Sequence, residues 1–218
     1  MGRFVGFVVV LVGLGLSANS YSATVLNEDF EVPVINSGFI TVYSGQTLAS
    51  RSTWNITSGS VDLTNMASYG STAYDGQQAV DLNGSPGPGT MGTYIDTVIG
   101  QSYSLTFHYA RNGGANTQVA AMQVDVIGSS NLFSQYFEHS GDGGLGLAPN
   151  DFLAYSTAFT ADSTSTYLKF TGLLPAGGAS YYGIMLDGIN VSSVPIPAAV
   201  WLFGSGLFGL FGLAKRKA

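Results

Sequence analysis

Two histidines, His108 and His139, and thirteen acidic residues are the side chains that could move a proton near neutral pH. His108 falls among Ser104 and Thr106 in an alternating stretch, which predicts a solvated strand face. Glu138 and His139 are adjacent, and neighbours on a strand point to opposite faces, so they do not make a metal pair. Gly-x-Ser-x-Gly, His-Glu-x-x-His and Walker-type loops are absent from the chain. The run Ser85-Pro86-Gly87-Pro88-Gly89 is glycine-rich, but its prolines remove the amide donors a phosphate cradle needs. A glycosidase would need two carboxylates, and thirteen acids offer pairs by chance. Asp62 and Asp81 each lie in a Val-Asp-Leu triplet, a pattern that predicts the flanking residues inward and the acid in solvent. The reading is of a protein that is not an enzyme.

Binding chemistry is better represented. A pyranose has an apolar face and a polar rim, so it is held by an exposed aromatic beside amides and carboxylates. Tyr69, Tyr74 and Asp75, with Asn65 and Gln77 close by, supply that combination within a Ser- and Gly-rich stretch that reads as a loop. Trp54 is flanked by strand formers and reads as core.

The elements that must carry these residues are strands. Alternating or short apolar runs predict them near Trp54–Leu63, Ala79–Leu82, Thr90–Val98, Tyr103–Ala110, Val119–Ile127, Leu132–Phe137, Phe152–Thr160, Thr166–Thr171 and Gly183–Val191. Leu105, Phe107 and Tyr109 face one way and Thr106 and His108 the other. With no helical period of comparable length, the expected fold is all-β, a two-sheet sandwich or jelly roll. Residues 23–192 read as one domain, with no repeat or linker inside it. The absence of cysteine excludes disulfides and thiolate metal sites. A formal charge of −6, with no basic cluster before the last four residues, excludes nucleic acid as a partner.

Both ends read as addresses. Residues 1–22 have a basic Arg3, an uncharged run from Phe4 to Leu16 and a small-residue exit, the pattern of a signal peptide for Sec export. Residues 193–218 contain 19 uncharged residues from Ile196 to Ala214 and then Lys215-Arg216-Lys217. That is the length of a transmembrane helix, with its basic end in the cytoplasm. The domain between is therefore expected outside the cytoplasm, held at first in the inner membrane. The sequence from Val194-Pro195-Ile196-Pro197 through Trp201-Leu202-Phe203-Gly204 to the basic tail resembles the PEP-CTERM sorting signal of Gram-negative bacteria. Isoleucine replaces the usual glutamate. The resemblance implies recognition by an exosortase and transfer to the cell surface or to the exopolysaccharide matrix.

A second resemblance covers the domain. Ser58-Gly59-Ser60-Val61-Asp62-Leu63, Asp75-Gly76-Gln77-Gln78-Ala79-Val80-Asp81-Leu82 and Leu186-Asp187-Gly188-Ile189 resemble the choice-of-anchor C exported proteins. Those are similar to a plant cell-wall family of unknown function. The resemblance implies a galactose-binding-like jelly roll and a carbohydrate-associated role. It also implies a structural calcium: related sugar-binding jelly rolls hold one between an Asn-x-x-Phe-Glu segment and an acid on the last strand, here Glu31 and Asp187. The expected function is a glycan-binding or structural component of the surface or extracellular matrix. Two alternatives are a secreted polysaccharide-acting hydrolase and a self-associating adhesin.

Overall fold

A computed structural model of the protein describes residues 22–112, 119–140, 152–174 and 182–195. Residues 1–21 of the expected signal peptide, Ile196, Pro197 and Lys215-Arg216-Lys217 lie outside the described residues, and so does the expected transmembrane helix. Among the described residues no helix is long and apolar enough to cross a membrane.

Two antiparallel sheets carry the described chain. One joins β1 (Thr24–Glu28), β2 (Phe39–Tyr43), β5 (Ser60–Asn65), β6 (Gln78–Asp81), β10 (Ser102–Arg111), β13 (Leu153–Thr160) and β15 (Ile184–Ser193). The other joins β3 (Thr47–Ala49), β4 (Thr53–Ser58), β9 (Thr90–Asp96), β11 (Val119–Ile127), β12 (Asn131–Ser140) and β14 (Ser165–Leu173). A two-strand hairpin, β7 (Asn83–Gly84) and β8 (Gly87–Pro88), stands apart. The pairing is nested: the β11–β12 hairpin lies within the pair β10–β13, that within β9–β14, and that within β6–β15. Successive pairs alternate between the two sheets, which is a jelly roll. The all-β sandwich expected from the alternation is the fold.

The inward faces meet in one apolar core. Trp54 is wholly buried between Phe30 and Phe170, and Phe107 packs edge-on against Phe170 and Phe137. Leu105 and Phe107 face this core, as their alternation predicts. Glu28, at the end of β1, is buried beneath it and accepts four hydrogen bonds: Phe30 N at 3.0 Å, Ser50 Oγ at 2.6 Å, Ser52 N at 3.0 Å and Trp54 Nε1 at 3.0 Å.

Three expectations need correction. The single strand expected over Trp54–Leu63 is two strands in different sheets, because the chain crosses over at Gly59 with φ +57°. A Cβ there would lie 1.9 Å from the Pro88 carbonyl oxygen, so only glycine fits. Asp62 and Asp81 do not face solvent. They lie directly opposite each other on β5 and β6, only 6% and 2% exposed. The outer face of their sheet is roofed by the segment after β5, where Met66 and Ala73 form a second small core with Ala79, Ala110, Met185 and Phe152. The β7–β8 hairpin adds Ser85, which donates to Asp62. Alternation shows which side of a strand faces the other sheet, but not what covers its back. His108 is half-buried for the same reason, beneath Tyr74.

Candidate functional site: a loop at a fork in the sheet

The site begins with a defect in β15. One edge of this strand pairs with β6 at Met185 and Leu186, then with β1 from Ile189 to Ser192. Neither register takes in Asp187 or Gly188. Along the other edge, the register with β10 shifts between Thr106 and His108. Gly188 takes φ +57° there, the residue that lets the strand bulge. A Cβ on Gly188 would stand 2.7 Å from the Tyr74 ring and 3.0 Å from His108 Nδ1, so the bulge gives these two rings room to meet.

The loop Tyr74–Gln77 fills the fork and is clamped from both sides. Asp187 accepts from Asp75 N at 2.9 Å and from Gly188 N at 2.7 Å. Glu31 accepts from Gln77 N and Gln78 N, each at 2.7 Å. Gly76, at φ +68°, passes so close to the Glu31 carboxyl that a Cβ would lie 2.4 Å from it. Gln78 Nε2 donates to the carbonyls of Phe30 and Pro33, tying the chain after β1 to the start of β6. Glu31 and Asp187, far apart in sequence, therefore grip this one loop and the start of β6 that follows it.

On this base the Tyr74 ring lies parallel to the His108 imidazole, with centroids 3.3 Å apart and 10° between planes. Its outer side stays open: Tyr74 is 49% exposed. Asp75 beside it is exposed. Burial pushes the His108 pKa down, which keeps the imidazole neutral at neutral pH. Burial pushes the Asp187 carboxyl up, to about 8. Its hydrogen-bond donors lower that value, but they do not offset the loss of water. At neutral pH this carboxyl therefore carries a proton or faces a cation.

Hard carboxylate oxygens suit calcium, which draws most of its roughly six to eight ligands from carboxylates and backbone carbonyls. Among the described residues Asp187 has no ion-pair partner, and a buried acid of that kind is one a cation would neutralise. Glu31 and Asp187 would supply the charged part, beside the exposed Asp75 whose backbone amide Asp187 holds. Among the described residues, no group of three or more His, Asp or Glu side chains has the spacing to hold a metal without the backbone.

Tyr69 stands exposed on the short 3₁₀ turn Met66–Tyr69, which Asn65 caps and Gly70 ends. Among the described residues no ring contact joins it to Tyr74. Tyr74, Asp75, Glu31 and Asp187 are thus brought together, and Tyr69 lies earlier in the same roofing segment. Sequence reasoning missed His108 as the support of Tyr74. The available signal was Asp187-Gly188 inside an apolar strand, since a glycine there marks a bulge or a close approach.

Asp62 and Asp81 face each other across β5 and β6, and the bonds they accept hold the structure around them. Asp81 accepts from Asn83 N at 2.8 Å, Gly183 N at 3.0 Å and Asn112 Nδ2 at 2.6 Å. These bonds fasten the hairpin and the start of β15 to the sheet.

Fold and site together define a β-sandwich module with an aromatic platform on a clamped loop. The chain belongs to the family described as "Protein of unknown function (DUF642)", whose sequence profile matches residues 23–192. It is 31% identical over 150 residues, 67% of this chain, to Halomucin of Haloquadratum walsbyi (strain DSM 16790 / HBSQ001), of whose length it spans 1%. Among solved structures it is similar to the CBM22-1 xylan-binding domain of Paenibacillus barcinonensis Xyn10C, with TM-score 0.45 and 14% identity over 82% of this chain and 99% of that one. A CBM4 structure matches with TM-score 0.43 and 12% identity, over 78% of this chain and 99% of that one.

Proposed function

We propose that this protein is an exported, non-enzymatic module that binds glycans through the Tyr74 loop. The observation that carries the proposal is the Tyr74 ring, held rigidly on His108 with one side in solvent and the Asp75 carboxylate next to it. A rigid ring loses little entropy on stacking against a sugar, and an adjacent acceptor fixes the hydroxyls. Residues 22–194 form a compact unit, so this fragment serves for the measurement. On a glycan array it is expected to bind, and Tyr74→Ala to lower that signal by roughly three- to tenfold, the scale of one stacked aromatic. An array equally bright for the variant would remove Tyr74 from the site, and a blank array would remove glycan binding.

Export is supported by the two terminal segments, and the choice-of-anchor C and PEP-CTERM resemblances add the destination. In this reading an exosortase takes the inner-membrane precursor at Val194-Pro195-Ile196-Pro197 and delivers it to the surface or exopolysaccharide of a Gram-negative bacterium. Mass spectrometry of the surface fraction is expected to find the protein without Lys215-Arg216-Lys217. An intact basic tail there would exclude proteolytic transfer.

A structural calcium between Glu31 and Asp187 completes the proposal. When bound, the ion would neutralise Asp187 and fix the loop that carries Tyr74. Calorimetric titration with Ca²⁺ is expected to give heat, EDTA to lower the melting temperature, and Asp187→Asn to abolish both responses. No heat with an unmoved melting temperature would leave Asp187 protonated and the site metal-free.

A further inference from the structure

The outer face of the six-stranded sheet carries a second aromatic arrangement that the loop site does not use. Tyr94 on β9 and Tyr167 on β14 are direct cross-strand partners, with ring centroids 4.7 Å apart and 42° between planes. Side chains normally stand away from a sheet. Tyr167 instead lies down over Gly92: a Cβ on that glycine would sit 2.3 Å from the Tyr167 hydroxyl oxygen and 2.4 Å from Cζ. Tyr94, at 68%, is the most exposed aromatic among the described residues.

The next row across the same face runs Thr47, Asn55, Gly92, Lys169, Asp125 and Ser134, each opposite the next on its neighbouring strand. Thr47, Asn55 and Ser134 are exposed. Lys169 and Asp125 form an ion pair at 2.9 Å, which cancels the charge at the centre of the row. Asp96, exposed on β9 two residues past Tyr94, would repel an acidic chain. Flat apolar rings bordered by hydroxyls and an amide, without net positive charge, suit an uncharged sugar polymer.

We propose that this face is a second glycan-binding surface, centred on Tyr94 and Tyr167 and selective for neutral polysaccharide, so that one molecule bridges two chains. The proposal rests on the reading that the Tyr74 loop binds glycan. Tyr74 packs on His108, on the back of the seven-stranded sheet, whereas Tyr94 projects from the back of the other sheet. The two sites face away from each other, so they engage separate chains. An aromatic covering a strand glycine also stabilises a sheet, which accounts for Tyr167 lying on Gly92. It does not account for Tyr94, whose removal leaves that cover in place.

Tyr94 is therefore the residue to change. The 22–194 fragment, Tyr94→Ala, Tyr74→Ala and the double variant would be run through gels containing hydroxyethyl cellulose, xyloglucan or dextran, with alginate as the acidic control. Light scattering of each polymer in solution reports bridging, and melting temperatures confirm that the variants fold. Expected results are retardation of the wild type by at least one neutral polymer and a rise in its scattering. Each single variant should keep a weakened retardation and lose the rise, and the double variant should lose both. A Tyr94→Ala variant that bridges like the wild type overturns the second surface and leaves the loop reading standing. Wild-type retardation without bridging does the same. Retardation by alginate alone overturns neutral selectivity, and no retardation by any polymer overturns both readings.

Discussion

Glu28→Ala is expected to destabilise the domain by about 3–5 kcal/mol, a drop in melting temperature of about 10 °C for a chain of this size. The wild-type carboxylate accepts from two backbone amides, a serine hydroxyl and the Trp54 indole, all in or beside the core. Truncation leaves several buried donors without an acceptor, each costing about 1–3 kcal/mol before water relaxes into the gap. Three of these bonds link β1 in one sheet to the β3–β4 hairpin in the other, so their loss loosens the tie between the two sheets. Glu28→Gln keeps one acceptor oxygen and turns a donor toward donors, and is expected to lose about half as much. Urea denaturation measures both. A Glu28→Ala variant within about 1 kcal/mol of wild type would show that water replaces the carboxylate at little cost.

Stability is expected to fall as pH rises from about 4 to about 8, through the two carboxyls that burial raises most, Asp187 and the more deeply buried Asp81. Burial raises the Asp81 carboxyl from the ordinary 3.8 to about 7 in the folded protein, outweighing the donors around it. Below pH 3.8 both folded and unfolded chains hold this proton, and the contribution to stability is complete. Between 3.8 and about 7 only the folded chain holds it, so the contribution declines by about 1.4 kcal/mol per pH unit, about 4 kcal/mol in all. Above the folded value nothing more is lost from this group. Asp187 and Asp62, both raised by burial, act in the same direction. Asp29 and Asp125, lowered by Arg51 and by Ser134 and Lys169, act below the ordinary carboxylate range, while His108, lowered by burial from 6.5, acts within the window in the opposite sense. Calorimetry in EDTA at pH 5, 6, 7 and 8 reads the slope. Asp81→Asn removes the titrating proton and is expected to flatten the curve by about one proton's worth between pH 5 and 7. Identical slopes in the two proteins would mean that the surrounding amide donors keep Asp81 ionised.

Much of the sandwich was legible. Leu105 and Phe107 alternate with Thr106 and His108, and that period of two placed β10 with the correct residues inward. Trp54 read correctly as core. The early strands were harder. β2 and β3 are short, and their solvent-facing residues include Phe39, Ile40 and Tyr43, so no clean alternation marked them. Gly59 carried a turn signal in Ser58-Gly59-Ser60, but apolar residues on both sides ran the two strands together.

The site divides in the same way. Tyr74 and Asp75 were legible as a polar, aromatic loop, because exposed tyrosine beside a carboxylate is a property of residue type and local composition. That Asp187 and Glu31 clamp this loop, that His108 supports Tyr74, and that Asp62 meets Asp81 all depend on which strands become neighbours. Periodicity is a local quantity, set by the two-residue repeat of an extended backbone. Burial of a carboxylate and the stacking of two rings arise from segments distant in the chain, and so do their shifted proton affinities. Those contacts exist once the nested strands have closed.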